Sequence, residues 1–501
     1  MKTKLIALSM VGALLLWAWA CWQLDDDNGT TRIWQHETAR QPEAGCDCDG
    51  ASLCSHLPLV IIDTEGQEIP GEQTGKKDRF GHSTYTTAAD GTNVINVAVS
   101  VVDNAARNNH PGDTPAFSTR SEIRIRGNSS RTFEKLPYLL NFLDDQGKNS
   151  DIAVMGMDAH HEWVLHGPYL DKSLIRNYLW YNLAGEVMDY APNVRFCELI
   201  LNGEYRGLYL MTESVTAGDD CRLPLSASAQ DKEISGYLLR LDRFTEAELG
   251  DVRDIESYLE RSGQQKKNLA IRYPKRPNLT EEMTQWIESD FAEFERALYS
   301  YDYDDNRYGY VQYIDVDNFV DYYLINELSA NVDAAIYSTY IYKAVGEPLR
   351  LCVWDFNNAC DNYQDEVVLS SEFFLYDHSY YAMLFKDEDF TERVISRYSE
   401  LRRGILSNES LTATIDDTIR YLGDAVERNF DVWGDTFSDD ELMTPEARNI
   451  TSFDKAKSRS RPTSSSAPTG WTATSTPCAS TAIRPTRKPS ITDACQRRRE
   501  G

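Results

Sequence analysis

Between residues 57 and 215 the apolar positions fall in short runs, whereas between 216 and 459 they recur at helical spacing, so the pattern predicts a β-rich half followed by a mainly helical one. Leu59–Ile62 and Val94–Val102 are β-runs, Glu122–Arg126 alternates strictly, Gly127-Asn128 turns the chain and Tyr138–Phe142 returns. Phe196–Leu201 and Gly207–Met211 flank Asn202-Gly203, the pair best suited to a type I′ turn, which needs positive φ at both central residues. Leu174–Met188 predicts an amphipathic helix with Asp171 or Ser173 near its N-cap and Leu174, Tyr178, Tyr181 and Leu183 on the apolar face. Two further helices are expected at Asn278–Tyr299 and Asp315–Leu328, whose aromatic stripes (Trp286, Phe291, Phe294; Phe319, Tyr322, Tyr323) read as core. Short strands follow at Tyr337–Tyr342 and Leu349–Val353.

One apolar run differs in kind. Leu5–Ala20 follows Lys2 and Lys4 and is short for a membrane span, as a signal-peptide core is. It ends at Ala18-Trp19-Ala20-Cys21, a small-residue cleavage site closing on a cysteine, which predicts a signal peptide over 1–20 and lipidation of Cys21 as in bacterial lipoproteins. Ala18 stands where such signals usually carry Leu, so ordinary signal-peptidase cleavage stays open. Residues 21–56 read as a polar linker, and Asp25-Asp26-Asp27 is similar to acidic tags that send lipoproteins to the outer surface of some Gram-negative cells. The expected location is therefore exported and lipid-anchored at the bacterial outer membrane or cell surface, with no membrane contact beyond the anchor.

Composition narrows the partners. A formal net charge of −28 repels nucleic acid and anionic membranes, which disfavours nucleic-acid binding. Cys46, Cys48 and Cys54 cluster in a Gly/Asp-rich segment and could form a zinc site, but in an oxidising compartment disulfides are the expected use. Cys352 and Cys360 bracket Trp354-Asp355-Phe356 and could be bridged, or Cys352 could be a plain core thiol.

The candidate chemistry is a pair of carboxylates. Asp333 falls on a loop between a predicted helix and strand, and Asp355 directly follows a strand; a phosphoryl-transfer site needs one carboxylate to orient the attacking hydroxyl and another to hold the metal. Turn or N-cap service is the plain alternative for either. The segments Arg124–Arg131, Lys135–Tyr138, Trp163–Tyr169, Asp171–Asn177, Leu201–Glu213, Gly236–Asp242 and Trp354–Phe356, in that order, together resemble the spore-coat protein H (CotH) family of atypical kinases, from roughly Leu57 to Asp454.

The resemblance implies an α+β, atypical protein-kinase-like two-lobe fold, with a β-rich N-lobe over 57–215 and a C-lobe over 216–459. It implies ATP and Mg²⁺ or Mn²⁺ as cofactors and Ser or Thr of secreted or surface proteins as acceptors. Asp333 would be catalytic, Asp355 the metal ligand with Asn357 and Ser338, and Lys135, Arg126 and Glu213 would bind ATP. Lys135 takes the first basic position of a Lys-Lys-x-Tyr-like segment whose second position is Leu136, and its ion-pair partner stays open. Ser338 stands where the D-x-x-x-x-N spacing of protein kinases puts a metal-binding Asn, so Asn357 or Asn358 compensates or the second metal is lost. The alternative reading is a non-catalytic adhesin or coat-assembly module on the same fold.

From Ser460 to Gly501 the acidic, Tyr-rich text gives way to a Ser/Thr/Pro/Arg tract. Read from the last base of the Arg459 codon, suitable codons for Ser460–Ala479 spell an amphipathic helical segment, so the expectation is a frameshift that replaces the last helix rather than a disordered tail.

Overall fold

The computed structural model describes residues 46–48 and 52–460, apart from short stretches at 78–82, 105, 219–220, 229–230, 244–251, 264–267 and 369–372. Cys21 and the 461–501 tail therefore lie outside the described residues.

The β-rich half closes on itself. Strands β1 (Leu59–Asp63), β4 (Ile95–Val102), β5 (Phe117–Ile125), β6 (Tyr138–Leu143), β9 (Glu162–His166), β10 (Val194–Leu201) and β11 (Glu204–Glu213) form a barrel in the order β1-β10-β11-β9-β6-β5-β4, with β4 returning to β1. Two small ribbons, β2 (Gln73–Lys77) with β3 (Ser83–Tyr85) and β7 (Ile152–Val154) with β8 (Met157–His160), stand outside it. Alternate residues fill the barrel, among them Val60, Val97, Val99, Ile123, Leu140, Phe142, Trp163, Leu165, Leu199 and Met211. The β10–β11 hairpin is buried on both faces. Cys197, Leu199, Tyr209 and Met211 point into the barrel, while Phe196, Leu208 and Leu210 face a second core. That is why its sequence reads as a near-continuous apolar run. Its turn has φ 53° at Asn202 and 80° at Gly203, as the Asn-Gly pair predicts.

The second core spans the predicted boundary at 215/216. It joins the outer face of β10–β11 to helix α1 (Arg176–Val187) and to a five-stranded antiparallel sheet. That sheet runs β13 (Arg253–Ile255), β14 (Leu269–Tyr273), β12 (Tyr237–Leu241), β15 (Thr339–Lys343), β16 (Arg350–Cys352). Around it lie α2 (Tyr258–Arg261), α3 (Glu281–Leu298), α4 (Val316–Leu328), α5 (Tyr381–Leu384), α6 (Glu388–Leu401), α7 (Asn408–Leu422), α8 (Ala425–Trp433) and α9 (Phe453–Ser460). The two helices expected from the aromatic stripes are α3 and α4, capped by Thr280 and Asp315, whose side chains accept from Met283 N–H and Asn318 N–H. The molecule is thus mixed α+β, and among the described residues no helix is long and apolar enough to cross a membrane.

Helix α1 corrects one expectation. It is not amphipathic: every residue from Arg176 to Ala184 is buried, polar ones included. Its start is held by Asp171, whose Oδ2 accepts from Arg176 N–H at 2.8 Å, with Ser173 Oγ donating to Asp171 Oδ1. Cys352 is a core thiol donating to the Val353 carbonyl at 3.3 Å, and it is not joined to Cys360 by a disulfide.

Candidate active site

Asp333 lies on the turn between α4 and β15, and Asp355 follows β16, so neighbouring strands of one sheet deliver both carboxylates to the same edge. The backbone there is held in an uncommon state. Ala330, Ala335, Ser338 and Asp355 all have left-handed φ, between 49° and 64°. Such residues each cost about 1 kcal/mol or more, and they persist where surrounding contacts over-determine them.

For Asp355 those contacts come from α1. Asp355 N–H donates to Tyr181 Oη at 2.9 Å and Phe356 N–H donates to Asn177 Oδ1 at 2.7 Å. Arg176 Nε donates to the Ala359 carbonyl at 2.9 Å while its guanidinium pairs with buried Asp171. Trp354 and Phe356 each pack against Tyr181 with ring centroids 5.6 Å apart. The polar residues of α1 therefore template the loop that carries Asp355, which is why the helix is buried all round. Arg176→Met leaves Asp171 as an uncompensated buried charge and is expected to destabilise the fold by about 3–5 kcal/mol. Denaturant unfolding checks this; stability within about 1 kcal/mol of the parent would show that the pair does not hold the loop.

The electrostatics follow from crowding. Burial pushes the Asp355 carboxyl up to about 7; Arg126 opposes, Asp333 and Asp242 add to the rise, and Ser338, donating to Oδ2 at 3.5 Å, offsets it slightly. Asp333 is raised by burial against the Asn358 amide, which donates to its Oδ2 at 2.6 Å, and against nearby Arg243. Asp242 also raises Asp333, so three carboxylates share one field. Asp242 was given no role from sequence. It arrives because β12 pairs with β15, with Leu241 opposite Thr339, which carries the residue just past β12 toward Ser338.

A small cleft opens between the barrel and the sheet, lined by Arg126, Val164, His166, Asn177, Tyr181, Thr212, Trp354 and Asp355. Arg126 lies 5.7 Å from the Trp354 ring centroid. Burial, with Arg126 adding, lowers His166 to about 4, so the imidazole is neutral near pH 7. The buried Thr212 hydroxyl in this wall has no hydrogen-bond partner among the described residues. An oxygen-rich, carboxylate-crowded edge with an orphaned hydroxyl beside it suits a hard divalent cation and phosphate oxygens.

The other sequence-derived candidates are placed as follows. Arg126 and Ser338 join Asp333 and Asp355. The Asn357 amide donates to Asn358 Oδ1 at 3.1 Å, and the Asn358 amide makes the Asp333 contact. Lys135 is buried beneath the barrel wall, where Nζ donates to Asn429 Oδ1 of α8 at 2.6 Å and sits 5.2 Å from the Tyr209 ring centroid. Burial holds it well below its usual pKa, with Lys172 adding to the drop. Its partner is thus an amide, not a carboxylate of α1. Glu213 points away from the cleft because its neighbour Thr212 takes the cleft face of β11. Its carboxylate accepts from Tyr190 and Arg222, and its N–H is spent on the Asn193 carbonyl. Arg131 donates to the carbonyls of Gly127 and Gly71.

Among curated proteins, none matches this chain. The model of the CotH family, described as CotH kinase protein, matches residues 123–460. That span covers more than half of the chain, contains every cleft residue and both strand-end aspartates, and ends where the composition changes. The chain belongs to the CotH kinase protein family.

Proposed function

We propose that this chain is an ATP-dependent protein kinase of atypical, two-lobe build that transfers the γ-phosphate to Ser or Thr of secreted or surface proteins. The observation that carries the reading is the meeting of Asp333, Asp355, Asp242 and Arg126 at one strand edge beside the cleft. Asp355 and Asp242, with Ser338 as a weaker oxygen donor, would hold Mg²⁺ or Mn²⁺, which when bound neutralises phosphate charge. Arg126 faces the same cleft and would grip phosphate oxygens. Asp333, steadied by Asn358, would orient the acceptor hydroxyl and take its proton. The neutral His166 can donate to an oxygen without adding charge. Lys135, committed to Asn429, would act only by bracing the barrel wall against α8.

The signal at 1–20 and Cys21 support export and lipid anchoring of the same protein. A second reading, a non-catalytic surface adhesin or coat-assembly module on the same fold, is favoured by one observation. Ser338 approaches Asp355 at 3.5 Å where kinases place an amide ligand. Thermal shift separates nucleotide binding from its absence: ATP with Mn²⁺ should stabilise the parent, by about 2.7 kcal/mol at a hundredfold excess over Kd, and Asp355→Ala should abolish the gain. No shift in the parent would remove the kinase reading.

A further inference from the structure

Outside the cleft, the segment ahead of β1 brings a second set of reactive side chains together. The Sγ atoms of Cys46, Cys48 and Cys54 and a ring nitrogen of His110 all lie within 4.8 Å of one another. Cys54 precedes β1 and His110 sits on the connection from β4 to β5, 56 residues later in the chain by number but adjacent in space. A reciprocal backbone pair fixes that adjacency: Ser55 N–H donates to Asn109 O at 3.1 Å and Asn109 N–H returns to Ser55 O at 2.6 Å. The Asn109 amide ties the same connection to Leu57 O at 2.9 Å and to Asn104 N–H at 2.7 Å.

The imidazole is oriented from behind. Asp113 Oδ2 accepts from His110 N–H at 3.0 Å and lies 3.3 Å from Nδ1, so Nδ1 carries the proton and Nε2 turns its lone pair to the thiols. Nε2 stands 3.5 Å from Cys46 Sγ. Metal–sulfur and metal–nitrogen bonds of about 2.3 and 2.0–2.1 Å in a tetrahedron would set that edge at about 3.5–3.6 Å. The Asn108 amide donates to Cys54 Sγ at 3.3 Å, the kind of outer hydrogen bond that steadies a thiolate ligand. The three cysteines are not joined by disulfides, and one disulfide among them would leave a thiol and the aimed imidazole without a role.

We propose that Cys46, Cys48, Cys54 and His110 bind one Zn²⁺ as a closed, structural Cys₃His site that staples the segment ahead of β1 to the β4–β5 connection. Binding releases the three thiol protons to solvent and leaves sulfur unoxidised. The site is independent of the aspartate cleft, so its test does not involve ATP. The full chain, purified without chelator, should carry one zinc per chain by elemental mass spectrometry. Exchange with Co²⁺ should give the visible bands of a tetrahedral thiolate site together with sulfur-to-cobalt charge transfer. Cys54→Ser and His110→Ala should each lose most of the metal. Because those variants could misfold, the parent is also mapped as non-reduced peptides. A Cys46–Cys54 or Cys48–Cys54 disulfide in zinc-free parent protein would overturn the proposal, as would undiminished zinc in a Cys46→Ser/His110→Ala double variant.

Discussion

Asp355→Asn is expected to lower phosphoryl transfer on the order of 1000-fold while making the metal-free protein more stable at pH 8. Both effects have one cause. The carboxylate is held where burial and two neighbouring aspartates resist its charge, and a divalent cation is what that arrangement suits. The folded-state value of about 7 lies above the ordinary 3.8, so between those values the folded state holds a proton that the unfolded chain has released. Stability is therefore undiminished below about pH 4, falls as pH rises toward 7 and stays low above it. A full shift of that size would be worth about 4 kcal/mol, and partial access to solvent from the cleft reduces the expected gain on substitution to about 2 kcal/mol. Melting curves in chelator at pH 4.5 and pH 8 check the sign: the variant should exceed the parent at pH 8 and by about a quarter of that margin at pH 4.5. An equal difference at both would assign the effect to packing.

Asp333→Asn is expected to separate binding from chemistry. Asp333 accepts from Asn358, on the loop that carries Asp355, and lies beside Arg243; an Asn in its place keeps an oxygen that can accept the same bond. The variant should keep the thermal gain from ATP with Mn²⁺ and lose phosphoryl transfer by about 100- to 10,000-fold, the usual range for a positioned proton acceptor. Loss of the thermal gain as well would make Asp333 a metal ligand instead.

The strands and helices were legible because each carries its own periodicity; the closure of the barrel was not, since a pattern marks faces and not which edges meet. Asp333 and Asp355 could be read because each sits beside a recognisable strand. Asp242 could not be assigned, because nothing local links it to them until β12 pairs with β15. The burial of α1 was hidden by its own Arg176 and Asn177, whose polarity is spent on the Ala359 carbonyl and the Phe356 amide rather than on water. Lys135 is a candidate phosphate lysine through the resemblance alone. Its environment is set by Asn429, which lies 294 residues away in sequence. The three N-terminal cysteines suggested disulfides because the expected compartment is oxidising, and His110, which the fold brings beside them, belongs to a loop with no motif of its own.

Phosphate transfer at the aspartate edge can be read directly. Incubating the full chain with γ-labelled ATP and Mg²⁺ or Mn²⁺, alone and with exported proteins, should move label onto Ser or Thr, on itself or on an acceptor. Transfer should be lost in Asp333→Asn and Asp355→Asn at matched folded fraction. Label incorporation undiminished in both variants, or none in the parent under either metal, would contradict the account.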